Sequence, residues 1–315
     1  MNENRTIDDR KAEKETVSCI LCPRKCGADR TKRAGFCGET KELRVSRAAL
    51  HMWEEPCISG KEGSGTVFFT GCTLRCVYCQ NYHIANSEVG KVIDVSRLKE
   101  IFLELQEKKA NNINLVTPTH FVPQIIEALD LARKEGLKLP VVYNTSGYER
   151  VEILRKLDGY VDIYLPDFKY LDAERAGRYS MAKDYPEVAK AAIKEMVRQT
   201  AGEHDNPQFD EHGMMKKGVI VRHLLLPGCL LDAKKIVRYL YETYGNHIYM
   251  SLMNQYTPLD TLDSEKYPEL NRRVKKKEYE KLIDYAIKLG VENAFIQEGE
   301  TATESFIPSF SLEGV

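Results

Sequence analysis

Nine cysteines occur in the 315 residues, and eight of them precede residue 80. Three stand as Cys72-x-x-x-Cys76-x-x-Cys79. Three thiolates on one tight loop can each hold one iron of a cubane cluster, whose irons prefer sulfur ligands. Four irons with three protein ligands leave one iron open, and an open position marks a reactive metal. A zinc ion completed by a further ligand is the competing chemistry. A second set is Cys19-x-x-Cys22-x-x-x-Cys26 with Cys37 inside Gly35-Phe36-Cys37-Gly38. Four thiolates on Gly-rich knuckles suit a closed zinc site, the favoured reading. The same ligand count allows an auxiliary iron–sulfur cluster. Cys57 and Cys229 read as buried thiols without a ligand role. An odd cysteine count with Cys-x-x-Cys spacing points to metal binding, not to a secreted disulfide scaffold.

The elements that must position these residues follow from apolar patterning. Strands are expected at Thr66–Thr70, Ile113–Val116, Val141–Thr145, Val161–Leu165, Val219–Leu226 and Ile248–Met253. Helical spacing recurs between them: 96–109 with Ser96 as N-cap, 122–135 closed by Gly136, a short helix at 151–157, 186–200, 236–244 and 277–289. Six alternating units imply an α/β chain with a parallel sheet, an open partial (β/α)6 barrel. Ligands then bind where strands end. The expected organisation is a frayed 1–18, a loop-rich Cys-containing metal-binding segment 19–64, a core domain 65–300 and a tail 301–315.

Lys plus Arg number 46 and Asp plus Glu 47, a formal charge of −1 with 43% hydrophobic residues. That balance offers no footprint for nucleic acid or an anionic membrane. No apolar stretch approaches the ~20 residues that span a bilayer. The N-terminus lacks the apolar core of a secretory signal, so a cytoplasmic protein is expected.

The cysteine spacing, the aromatic Tyr78 before the last cysteine, and its place after the first strand resemble the radical S-adenosylmethionine superfamily. The resemblance implies a 4Fe–4S cluster at Cys72, Cys76 and Cys79 whose open iron chelates S-adenosylmethionine. It implies reductive cleavage to a 5′-deoxyadenosyl radical that abstracts hydrogen from a substrate, and an electron donor such as flavodoxin or ferredoxin. Thr117-Pro118-Thr119-His120 occupies the place of the family's Gly-Gly-Glu-Pro-like turn, with the Glu and both Gly absent. Hydroxyls and free carbonyls of Thr117, Pro118 and Thr119 would have to serve there.

Asn144-Thr145-Ser146-Gly147, Pro166-Asp167-Phe168-Lys169 and Val221-Arg222-His223 resemble turns and a strand of pyruvate formate-lyase activating enzymes. Arg222 and Lys169 are thus implied for the cofactor carboxylate. Asn144 and Asp167 are implied for ribose hydroxyls or for orienting those cations. Cys22-Pro23-Arg24-Lys25-Cys26-Gly27 and Glu54-Glu55-Pro56-Cys57 also match that branch. The substrate implied is a glycine of a glycyl-radical enzyme, the alternative being a small molecule or another protein. A non-catalytic iron–sulfur or zinc electron-transfer protein is the more distant reading.

Other signals are weaker. Gly60–Thr66 is glycine-rich in the wrong order for a phosphate loop and lets the chain enter the first strand. His204, Asp205, Asp210, Glu211 and His212 read as a solvated loop, itself a surface insertion or lid, and Arg272–Lys277 as a solvated helix start. His120, following a strand end, is expected to face the cavity, and His83 is a weaker candidate.

Overall fold

The computed structural model describes residues 18–201, 207–297, 308 and 310–315. Residues 1–17, His204 and Asp205, and residues 298–307 and 309 of the last two expected segments lie outside the described residues. In chain order the elements are β1 (Leu43–His51), α1 (Pro56–Ser59), β2 (Ser64–Phe69), α2 (Tyr82–Ala85), β3 (Lys91–Ile93), α3 (Val95–Glu107), β4 (Ile113–Val116), α4 (Val122–Lys134), β5 (Val141–Thr145), α5 (Val151–Leu154), β6 (Ile163–Pro166), α6 (Ala173–Ser180), α7 (Tyr185–Thr200), β7 (Gln208–Phe209), β8 (Met215–Leu224), α8 (Leu230–Tyr244), β9 (Tyr249–Met253), α9 (Lys276–Leu289) and β10 (Ala294–Ile296).

The sheet order is β10-β9-β8-β6-β5-β4-β2-β1-β3, with β7 on β8. From β2 to β10 every pair along this path is parallel, as the alternating patterning requires. The path begins and ends on different strands, so the sheet stays open. No described helix is long and apolar enough to cross a membrane.

Two features depart from the expectation. Ala294–Ile296, outside the six expected strands, supplies a seventh parallel strand, β10, which pairs with β9. Residues 43–51, expected within the loop-rich metal-binding segment, form β1, antiparallel to both β2 and β3. Its apolar residues are broken up by Arg44, Ser46 and Arg47, which masks a strand's alternation. At a smaller scale α3 is capped by Asp94 rather than Ser96: Asp94 Oδ1 accepts from Arg97 N at 2.7 Å. The described part of the first long loop, 207–218, is a hairpin whose tip Asp210 closes on His212 N and Met214 N.

The two faces of the sheet divide by strand period. Ile113, Leu115, Val141, Tyr143, Tyr164, Val219, Val221, Met250 and Leu252 join the large core shared with α3, α4, α7 and α8. Val142, Ile163, Leu165 and Ile220 belong to a second cluster with Cys57 and Ile58 of α1. The short helix between β1 and β2 therefore plugs the inner face. Further along that face, toward the strand ends, the side chains change from apolar to polar: Asn114, Asn144, Asp167, Arg222 and Ser251. Register sets them side by side, with Asp167 bridged to Arg222 and Arg222 opposite Ser251.

Candidate active site

The cysteine loop leaves β2 through Thr70 and Gly71. Gly71 has φ +78°, and a Cβ there would lie 2.5 Å from Glu39 Cγ and 2.7 Å from the Cys37 carbonyl. Only glycine fits so close an approach. The front cysteine segment is pressed against the loop, and Cys72 N donates to the Cys37 carbonyl at 3.0 Å. Arg24 ties the loop from the other side, donating to Thr73 O at 2.9 Å and to Ser180 O at 2.8 Å.

Cys72, Cys76 and Cys79 line a cavity of about 240 Å³ together with Tyr78, Thr117, Asn144, Asp167, Lys169 and Arg222. Burial pushes the Cys79 thiol up to about 12, and the charges of Cys72 and Cys76 push it the same way. Burial also raises Cys76, against the pull of Lys169. Ser180 Oγ lies 3.0 Å from Cys76 Sγ and donates to it. Three thiols that repel each other as anions, beside a cation and hydrogen-bond donors, fit a cationic iron cluster that would hold all three deprotonated. Among the described residues no group of three or more His, Cys, Asp or Glu side chains is arranged to hold a single metal ion. Cysteines that each meet a different iron have no need to converge on one point.

The residues implied for the cofactor amino acid and ribose are brought together. Asp167 bridges two cations: Lys169 Nζ lies 2.7 Å from Oδ2 and Arg222 Nε 3.0 Å from Oδ1. Arg222 Nη2 donates to Asn144 Oδ1 at 2.6 Å. Burial alone would raise the Asp167 carboxyl, but Lys169 and Arg222 together outweigh it and hold the group below its usual range. Burial opposes the charge on Lys169, yet the thiols and Asp167 leave its pKa raised. Gly147, at φ +76°, lets the turn after β5 close on this cluster, since a Cβ there would meet the Asp167 carbonyl at 2.3 Å. The Tyr185 hydroxyl joins the two turns, 2.9 Å from the Ser146 and Asp167 carbonyls and accepting from Lys169 N at 2.9 Å.

The turn after β4 divides. Thr117 lines the cavity at φ +57°, a strained conformation for a β-branched residue. Pro118 and Thr119 are buried away from it, and Thr119 Oγ1 donates to Glu149 Oε1 at 2.5 Å. His120 does not face the cavity as expected. It is buried with Nε2 2.6 Å from the Thr70 carbonyl, and burial takes its pKa down to about 3. Within this turn successive side chains serve different surroundings. His83 is exposed beside Glu88, at 2.5 Å.

Glu54 and Glu55 went unassigned by motif. Glu54 accepts from Asn114 Nδ2 at 3.2 Å and Asn144 Nδ2 at 3.3 Å through one oxygen, and from Arg222 Nη1 at 3.3 Å through the other. Burial raises the carboxyls of both Glu54 and Glu55, with Arg222 opposing. Both line a second cavity of about 600 Å³ that shares Asn144, Arg222, Met253 and Gln255 with the first. The available signal was two adjacent acids before a helix-starting proline in an otherwise apolar neighbourhood.

The four front cysteines are neighbours. A Cβ at Gly35 would lie 3.3 Å from Cys26 Sγ and 3.6 Å from Cys37 Sγ. Cys19 pairs its backbone with Ala28 and Gly27. Burial pushes the Cys22 thiol up to about 12, with Cys37 and Cys19 adding to it. Cys57 and Cys229 are buried.

Residues 66–202 match the Radical SAM superfamily. The chain is 30% identical to the uncharacterized protein MJ0674 of Methanocaldococcus jannaschii over 285 residues, 87% of this chain and 76% of that one. Among solved structures it resembles SuiB of Streptococcus suis bound to S-adenosylmethionine at 18% identity and TM-score 0.49, over 75% of this chain and 50% of SuiB. It resembles HydG, a maturase of the [FeFe]-hydrogenase, at 15% identity and TM-score 0.47, over 70% of this chain and 48% of HydG. The chain thus spans about half the length of these two structures.

Proposed function

Because the chain belongs to the radical SAM superfamily, we propose that it cleaves S-adenosylmethionine reductively and uses the resulting radical to take a hydrogen atom from a substrate. The observation that carries this reading is the shared cavity: Cys72, Cys76 and Cys79 face the Asp167–Lys169–Arg222 cluster across it. When bound, a 4Fe–4S cluster with S-adenosylmethionine supplies the electron-driven cleavage and the radical. The chain's own work is placement. Lys169 and Arg222 offer cationic donors to a carboxylate, and Asn144 and Asp167 hold those cations and offer polar atoms to hydroxyls. Tyr78, buried behind the cysteines, closes the cavity wall with its hydroxyl 2.6 Å from that of Tyr170. An external one-electron donor, of the flavodoxin or ferredoxin kind, completes the reaction.

Support for a glycine of a glycyl-radical enzyme as the hydrogen source comes from motif resemblance. A cavity of about 600 Å³ falls in the range of small-molecule sites and holds a buried acid, which favours the second reading of a small molecule or a single side chain. The test is anaerobic reconstitution with iron and sulfide, reduction by dithionite and addition of S-adenosylmethionine. Formation of 5′-deoxyadenosine is expected; a fully loaded protein that forms none would end the radical reading.

A further inference from the structure

Resting on that reading, we propose that the larger cavity takes a substrate carrying a protonated amine on an apolar stem, and that Glu55 binds the amine. Glu55 is 8% exposed and lines this cavity, and its Oε2 has no hydrogen-bond partner among the described residues. Its neighbour Glu54 differs: both of its oxygens are taken by Asn114, Asn144 and Arg222. A buried carboxylate oxygen left without a donor is costly, so its retention points to a donor that arrives with a ligand.

The nearby cation acts on Glu55 by charge, opposing its burial, but none of its hydrogen bonds goes to Oε2. Arg222 already directs Nε to Asp167, Nη1 to Glu54 and Nη2 to Asn144. Lys169 is held by Asp167 at 2.7 Å. Part of the remaining wall suits a stem: Met52, Trp53, Phe68, Met253 and Phe295 line the cavity, interspersed with polar His51, Gln80, Ser251 and Gln255. The ammonium of S-adenosylmethionine carries the same chemistry as a substrate amine, so the two sources must be separated.

The experiment uses anaerobically reconstituted holoprotein and isothermal titration with n-pentylamine, pentan-1-ol and pentanoate, and separately with S-adenosylmethionine. Pentylamine should bind the parent about tenfold or more tightly than the alcohol or the acid, the scale of one charge-assisted hydrogen bond. Glu55→Gln should lose that preference, and lose more affinity for pentylamine than for S-adenosylmethionine. Glu55→Asp keeps the charge and should keep the preference for amine over alcohol, which guards against a misfolded Gln variant. Equal binding of all three probes by the parent, no binding of any, or a Gln variant whose loss is confined to S-adenosylmethionine would overturn the proposal. Parent protein that forms 5′-deoxyadenosine but shows no amine preference would leave the radical reading standing and remove only this one. Parent protein that forms none removes the reading beneath it.

Discussion

Glu54 Oε2 lies 3.3 Å from Arg222 Nη1, although 168 residues separate them in the chain. The contact is made because the connection between β1 and β2 folds inward onto the face of the sheet where β8 presents its arginine. Glu54→Ala should therefore destabilise the protein by about 1–3 kcal/mol, the cost of leaving Asn114 and Asn144 amides and one guanidinium edge without their acceptor. Urea unfolding of parent and variant measures it, and a change below about 0.5 kcal/mol would show the pair to be energetically idle.

Changing Cys72, Cys76 or Cys79 to Ala should abolish 5′-deoxyadenosine formation, because two thiolates cannot hold a cluster with one open iron. A Cys76→Ala protein that still made product at the parent rate would contradict the assignment.

Lys169 offers a cleaner test of cofactor recognition than Arg222, whose removal would leave Asp167 and Glu54 both short of a partner. Lys169→Met should weaken S-adenosylmethionine binding by roughly 2–3 kcal/mol with iron content unchanged. Iron loss in step with affinity loss would make the residue structural.

The Ser180 hydroxyl donates to Cys76 Sγ at 3.0 Å, with the Tyr170 hydroxyl 2.8 Å behind it. Hydrogen bonds to ligand sulfur stabilise the reduced cluster and raise its potential. Ser180→Ala should therefore shift the midpoint potential to a more negative value at constant iron content, read by a redox titration followed by electron paramagnetic resonance. An unchanged potential would make the contact a packing feature.

Glu149 gives a pH signature. Burial pushes its carboxyl up to about 7, against the hydroxyls of Thr119 and Thr145. Between the ordinary value of 4.5 and about 7 the folded state keeps a proton that the unfolded chain has released. This group's contribution to stability is thus full below about pH 4.5, falls as pH rises to about 7, and is flat beyond. His120 and His223, held down to about 3 and about 4 by burial, act in the opposite sense, so only a difference isolates Glu149. Glu149→Gln should gain on the parent as pH rises through that window, by on the order of 3 kcal/mol at most. A difference that stays level from about pH 4 to 8 would refute the shift.

At the front cysteines a bound metal should supply folding energy that few large apolar residues there can provide. Replacing Cys19 and Cys22 by Ser should loosen that segment while the Cys72–Cys79 loop still loads iron. Iron and zinc counts on anaerobically purified protein decide between the alternatives. One zinc lost in the variant supports zinc, a fall from about eight irons to four supports an auxiliary cluster, and no metal in the parent beyond four irons rejects both.

What could be read directly from the chain is what neighbours in sequence decide. The three cysteines lie within eight positions, so their spacing alone states a ligand set. Alternating apolar runs state a parallel sheet, and a parallel sheet states at which strand ends to look. At those ends it was resemblance to a known family's turns that implied Lys169, Asp167, Asn144 and Arg222. Which of two adjacent residues faces the cavity was a different matter. A strand sends alternate side chains to opposite faces, and a turn can reverse that order, as Thr117, Thr119 and His120 show. Glu54 and Glu55 depended on more: on α1 plugging the inner face and on β8 standing opposite it. Their role comes from burial and from the charges around them, and those exist only once distant segments have packed, because desolvation is a property of the assembled interior and not of any stretch of chain.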